Sequence, residues 1–266
     1  MTQTQTQTRR EWLAAEPFTL VLSAGFFGFF AHTGVLAALE EAGLAPRRVV
    51  GTSAGAIAGG MWASGVPTRE LIERLVALRL PDFWDPVWRW PARRAADPDP
   101  GTPLGLLRGR KFDAILGEIL DGRPDTIEAC PTPFAAVTHD LGRNATTVHE
   151  RGPLRPVIRA SAALPVMFGP VRIDGRLHAD GGIRDRPGFR ALAPGERCLY
   201  HHLPHSTPWP RAHGQAGEEL ERMDTPTRTV LAIDTLPRVG PMALDQGRRA
   251  LELARRECRA WLEQPR

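Results

Sequence analysis

The decapeptide Arg48-Val49-Val50-Gly51-Thr52-Ser53-Ala54-Gly55-Ala56-Ile57 decides how this chain is read. Apolar, β-branched residues lead into Gly51-Thr52-Ser53-Ala54-Gly55, and small residues follow as far as Trp62. Strand, tight turn and helix in that order make a nucleophile elbow. The glycines on either side of the serine allow a cramped turn that lifts the hydroxyl into the open. With five serines and 26 glycines in 266 residues, this pentad is expected by chance about 0.05 times. The flanking strand and helix give the match its weight, against the plainer alternative of a tight turn with an N-capping serine.

Upstream, Phe18 to Leu22 is a short apolar run bounded by Pro17 and Ser23-Ala24-Gly25, which predicts a buried strand. Val35, Leu36 and Leu39 share one helical face, Glu40 and Glu41 lie toward solvent, and Gly43 fits a helix end. The chain therefore opens strand, helix, strand, elbow, helix. That order implies a three-layer α/β/α sandwich with a mainly parallel central sheet. Further helices are expected over 66–80, 111–120, 154–163 and about 244–262, and strands over 134–138, 198–202 and 230–233. Asp174-Gly175 reads as a hairpin turn. From Pro81 to Pro103 the pattern collapses into prolines, aromatics and arginines, which predicts a loop.

Composition narrows the class. Hydrophobic residues make up 42% and charged residues 24%, as in soluble globular proteins. The net charge of +4 comes without a dense basic run, which argues against a nucleic-acid partner. Cys130, Cys198 and Cys258 are odd in number and widely spaced, so neither a disulfide framework nor a zinc site is signalled. Residues 1–16 begin as a Thr-Gln repeat and are expected to be a disordered tail, with one domain over 17–266. The tail lacks the apolar core of a signal peptide. A cytoplasmic protein is expected, with peripheral membrane contact or signal-independent export left open.

A serine nucleophile needs a base and an oxyanion hole. Asp180 with His201, His202 or His205 would satisfy the Ser, Asp, His order of an α/β-hydrolase, but that nucleophile follows several strands, and Ser53 follows only the second. The segment around Ser53 instead resembles the nucleophile segment of bacterial patatin-like phospholipases. A second block, Ala160-Ser161-Ala162-Ala163-Leu164-Pro165 through Asp174-Gly175 to Asp180-Gly181-Gly182, is similar to the family segment carrying its Asp-Gly-Gly motif. The likeness covers roughly residues 18–187.

The resemblance implies a serine acyl hydrolase with a Ser53–Asp180 dyad and no histidine. Asp180 would act as base, and the backbone N–H groups of Gly25 and Phe26 would form the oxyanion hole. It implies no metal or organic cofactor, and a lipid or other ester as substrate. An acyltransferase using the same dyad, or a catalytically impaired lipid-binding protein, are the alternatives. The first loop departs from the family's run of glycines with a basic residue: it reads Ala24-Gly25-Phe26-Phe27-Gly28-Phe29, with Gly28 at the basic position. Phe26, Phe27, Phe29 and Phe30 fit either core packing or the wall of an acyl pocket. Trp84, Trp88 and Trp90 with Arg93 and Arg94 fit either a buried insertion or a lipid-contact loop. His201, His202, His205 and His213 lack a metal-binding spacing.

Overall fold

The computed structural model describes residues 7–87, 105–204 and 220–266. Its centre is an eight-stranded mixed sheet. The strands are β1 (Thr19–Leu22), β2 (Arg48–Thr52), β4 (Phe134–Asp140), β5 (Ala145–His149), β7 (Val171–Ile173), β8 (Arg176–Asp180), β9 (Cys198–His202) and β10 (Arg228–Ala232). A separate parallel pair joins β3 (Gly105–Leu107) to β6 (Val166–Phe168). The main order is β10-β9-β1-β2-β4-β8-β7, with β5 also on β4. The strands β10, β9, β1, β2 and β4 run parallel, whereas β5, β8 and β7 add antiparallel pairs.

Three strands compete for the two edges of β4. The partner β5 occupies one edge from Ala136 to Asp140. The other edge is divided: β2 takes Phe134 to Val137, and β8 takes Thr138 to Asp140. Because β2 is parallel and β8 antiparallel to β4, their C-terminal ends meet. Thr52 lies opposite Val137 and Asp180 opposite Thr138, so Ser53 and Asp180 become neighbours although 127 residues separate them.

The helices are α1 (Arg9–Ala15), α2 (Phe29–Glu41), α3 (Ala54–Ala63), α4 (Thr68–Ala77), α5 (Leu80–Phe83), α6 (Arg110–Ile119), α7 (Leu154–Ser161) and α8 (Gln246–Leu262). Strand residues Leu20, Leu22, Val49, Phe134, Ala136, Leu199 and Leu231 join α1, α2, α3, α4, α7 and α8 in one core. Their alternating neighbours Val21, Val50, Ala135, Val137, Tyr200 and Val230 face a thinner layer built around the short 3-10 helix Phe189–Ala191. Helices thus cover both sides of the sheet, unequally.

The elbow, the early strands and the hairpin lie where the pattern predicted them, and Asp174 (φ 47°) and Gly175 (φ 77°) form the turn. Helix α2 differs. It was read with one apolar face, yet every residue from Phe30 to Leu39 is buried, because α8 packs on the side that would otherwise meet water.

The second half of the expected tail is corrected, while residues 1–6 lie outside the described residues. Residues 9–15 form α1, which Thr8 caps by accepting the Glu11 N–H while the Glu11 carboxylate receives the Thr8 N–H. The helix is fastened to the end of the chain, with the Arg9 N–H donating to the Gln264 carbonyl at 3.0 Å. Trp12 and Leu13 are buried. The guanidinium groups of Arg197 and Arg266 lie 3.5 Å and 3.9 Å from the centre of the Trp12 ring.

Asp85 organises the far side. Its carboxylate accepts the N–H groups of Gly109 (3.0 Å), Arg110 (2.8 Å) and Lys111 (3.2 Å) at the start of α6. Val87 donates to Leu106, and Arg108 donates to the Asp85 carbonyl. Trp84 is half-buried beside this clamp. Trp88, Trp90, Arg93 and Arg94 lie outside the described residues.

Trp12→Ala is expected to destabilise the protein by about 3 kcal/mol, the cost of truncating a packed tryptophan, measured by urea unfolding. An unchanged midpoint would return this segment to the status of a tail.

Candidate active site

Ser53 joins β2 to α3 at φ 54° and ψ −114°, a conformation that side chains seldom adopt. The neighbouring glycines are required by contact. A Cβ on Gly51 would stand 2.4 Å from the Gly55 carbonyl oxygen, and one on Gly55 would stand 2.0 Å from that of Leu22. The Ser53 N–H donates to Ser161 Oγ at 2.9 Å, and the Ser161 hydroxyl donates to the Val137 carbonyl at 2.6 Å. Ser161, fully buried at the end of α7, therefore ties the elbow to β4.

Ser53 Oγ donates to Asp180 Oδ2 at 2.6 Å. The other carboxylate oxygen accepts the Gly182 N–H at 2.7 Å, and the Asp180 N–H donates to the Ala163 carbonyl at 3.0 Å. Gly181 opens a 3-10 turn, its carbonyl receiving the N–H groups of Arg184 and Asp185. Burial raises the Asp180 pKa to about 6, against the opposing pull of the bonds from Ser53 and Gly182.

Both side chains open into a cavity of about 280 Å³ between the elbow, α3, α4, α5 and α6. Ile57 and Met61, one and two turns along α3 from Ser53, line it, with Leu75, Phe112 and Leu116 on the opposing helices. Phe26, Phe27 and Phe29 also face it, whereas Phe30 is buried in the core, so the aromatic cluster divides between its two expected uses. Two helical turns correspond to roughly 12 Å of apolar channel beyond the serine.

Against this geometry, a family model described as patatin-like phospholipase matches residues 20–193. The chain belongs to the patatin-like phospholipase family. An uncharacterised NTE family protein of Mycobacterium tuberculosis is 37% identical over 172 residues, 62% of this chain and 42% of that protein. Neuropathy target esterase sws of Drosophila grimshawi is 28% identical over 180 residues, 66% of this chain and 12% of that protein. The patatin-like chain thus spans less than half the length of these curated relatives. The crystal structure of VipD from Legionella pneumophila is similar in fold, with a TM-score of 0.53 at 16% identity, over 93% of this chain and 67% of VipD.

In this patatin-like chain the loop after β1 borders the same cavity. Gly25 and Phe26 line it, and their N–H groups have no acceptor among the described residues. The loop is closed by bonds from the Gly28 N–H to the Gly25 carbonyl (2.9 Å) and from the Ala24 N–H to the Arg186 carbonyl (2.8 Å). The histidines considered as bases are occupied elsewhere: His201 Nδ1 lies 2.8 Å from His32 Nδ1, and His202 Nδ1 lies 3.0 Å from the Tyr200 hydroxyl. His205 and His213 lie outside the described residues. Sequence reasoning gave no role to Ser161 or to His32. Ser161 fell inside the quoted Ala160–Pro165 segment, but nothing in the pattern separates it from an ordinary core serine.

The raised Asp180 pKa has a consequence for stability. The folded protein binds this proton more tightly than the unfolded chain, so the group favours folding in acid and opposes it once the pH rises through about 6. We expect Asp180→Asn, which removes the buried charge, to be relatively more stable at pH 8 than at pH 4 by up to about 3 kcal/mol. Urea unfolding at the two pH values measures the difference. A variant whose deficit or gain is the same at both would show that the carboxylate is not destabilised by burial.

Proposed function

We propose that this chain is a serine acyl hydrolase that cleaves carboxylic esters of lipids, with Ser53 as nucleophile and Asp180 as base. The observation that carries the reading is the 2.6 Å hydrogen bond from Ser53 to a buried carboxylate at the end of an apolar cavity. Membership of a phospholipase family, and a relative named as an esterase, support it. A family match alone would leave the residues unassigned.

As Ser53 Oγ attacks the ester carbonyl, its proton passes to Asp180 Oδ2. The N–H groups of Gly25 and Phe26 take the negative oxygen of the tetrahedral intermediate. That intermediate collapses, the C–O bond to the alcohol breaks, and Asp180 returns its proton to the departing oxygen. Water then attacks the acyl-enzyme, giving a proton to Asp180, and the released serine recovers it as the fatty acid leaves. A carboxylate with an ordinary pKa near 3.9 is a weak base for this work. Its elevation to about 6 narrows the gap to the serine hydroxyl while leaving it ionised at neutral pH.

The channel beside Ile57 and Met61 takes the acyl chain, and its nearly all-apolar lining suits a hydrocarbon tail. No helix among the described residues is long and apolar enough to cross a membrane.

Ser53→Ala is expected to abolish both fluorophosphonate labelling and ester hydrolysis with the melting temperature retained. Asp180→Asn should lose at least about 100-fold in kcat. Wild-type kcat/KM should fall about tenfold per pH unit below pH 6, as Asp180 is protonated. Undiminished hydrolysis in either variant overturns the dyad. Filling the channel with Met61→Trp should reduce the ratio of long-chain to short-chain ester turnover by at least about tenfold, and an unchanged ratio would remove the acyl chain from this cavity.

A further inference from the structure

His32 sits in the first turns of α2, fully buried, and holds both ends of the loop that follows β1. At the exit, its backbone N–H donates to the Gly28 carbonyl at 3.0 Å. At the entry, its ring Nε2 lies 2.8 Å from the Ser23 carbonyl oxygen. A carbonyl can only accept, so Nε2 carries the hydrogen. His32 Nδ1 is then an acceptor, and among the described residues its partner is His201 Nδ1 at 2.8 Å, which must donate. The hydrogen-bond pattern therefore admits one arrangement for two neutral rings: His201 fixes the tautomer of His32, and His32 fixes Ser23.

Ser23 is bonded through its N–H, its carbonyl and its hydroxyl. Its N–H donates to the His201 carbonyl at 3.3 Å, its carbonyl receives His32, and its hydroxyl accepts the Leu203 N–H at 3.1 Å. Two residues later come Gly25 and Phe26, whose N–H groups find no acceptor among the described residues and which line the cavity with Ser53. The loop lacks a glycine run and a basic residue, so neither of these can set its shape. Burial keeps both rings uncharged, with the His32 pKa pushed down to about 4 and that of His201 held well below the usual histidine range.

We propose that His32 is a positioning residue for hydrolysis: by pinning Ser23 through its ring, while the α2 backbone holds Gly28, it aims the N–H groups of Gly25 and Phe26 at the oxygen that becomes negative in the transition state. This rests on the hydrolase reading above. Ground-state binding of the acyl chain draws most of its wall from the helices, at Ile57, Met61, Leu75, Phe112 and Leu116, so the loss belongs mainly in kcat. Displacing a preorganised donor by about 1 Å is worth on the order of 100-fold.

The test compares His32→Leu, which has no ring hydrogen bond, with His32→Gln, whose amide nitrogen reaches about as far as the imidazole Nε2. Both are assayed with a nitrophenyl ester beside wild type and Ser53→Ala. His32→Leu is expected to lose about 10- to 100-fold in kcat with KM within about threefold, and His32→Gln to recover to within about fivefold of wild type. If His32→Leu does not fold, His32→Asn carries the same test, because its amide stops short of the Ser23 carbonyl. Activity that survives Ser53→Ala overturns the hydrolase reading and this proposal together. Ser53-dependent turnover that His32→Leu or His32→Asn leaves within about twofold of wild type overturns the positioning role alone. So does a fall in kcat, a rise in KM and a loss of thermal stability that His32→Gln shares in full, since that pattern marks a residue that only packs.

Discussion

The divided edge of β4 is the constraint on which the site depends. A strand offers one row of N–H and C=O groups on each side, and here a single row serves two partners arriving from opposite directions. Their ends must abut: Ser53 follows the last paired residue of β2, and Asp180 is the last paired residue of β8. Ser53 turns away through its elbow, and Asp180 turns away through the Gly181-Gly182 bend. Ser161 bridges the junction by bonding both the elbow and β4. The contact between Ser53 and Asp180 is thus a product of sheet register, and a slip of one residue in either strand would separate the pair.

The same crowding sets the chemistry. Asp180 is enclosed by β4, by the turn behind it and by an apolar channel in front, so its charge is poorly solvated. The polar contacts within bonding distance are few: a hydroxyl and an amide N–H. These are enough to hold the carboxylate in place and too few to replace its hydration, which leaves it more basic than a surface aspartate. A better-solvated aspartate would make a more stable protein and a poorer base.

Much of this was legible in the sequence, for identifiable reasons. Gly51 and Gly55 stand where backbone contacts forbid any side chain, so the steric demand appears directly as residue identity. The Asp174-Gly175 turn was legible in the same way. What escaped notice depends on partners distant in the chain. The outer face of α2 is apolar because α8 covers it more than 200 residues later, and α1 is ordered because Arg197 and Arg266 enclose Trp12. The short strands β3, β5 and β6 carry little periodicity. The hydrogen bonds of His32 to Ser23 and His201 are set by tertiary contact and leave no local pattern.

The Asp85 clamp separates one part of the chain from the rest. By gathering three successive N–H groups it brings the backbone at Val87 beside the backbone at Leu106, so two positions 19 residues apart in the sequence are held together. The entropy of closing a loop grows only with the logarithm of its length, about 0.6 kcal/mol for each doubling. Insertions or deletions between those two residues therefore put little strain on the sheet and do not disturb the register that makes the dyad. A change of length there is absorbed between two backbone positions that Asp85 already holds together, and Ser53 and Asp180 keep their places.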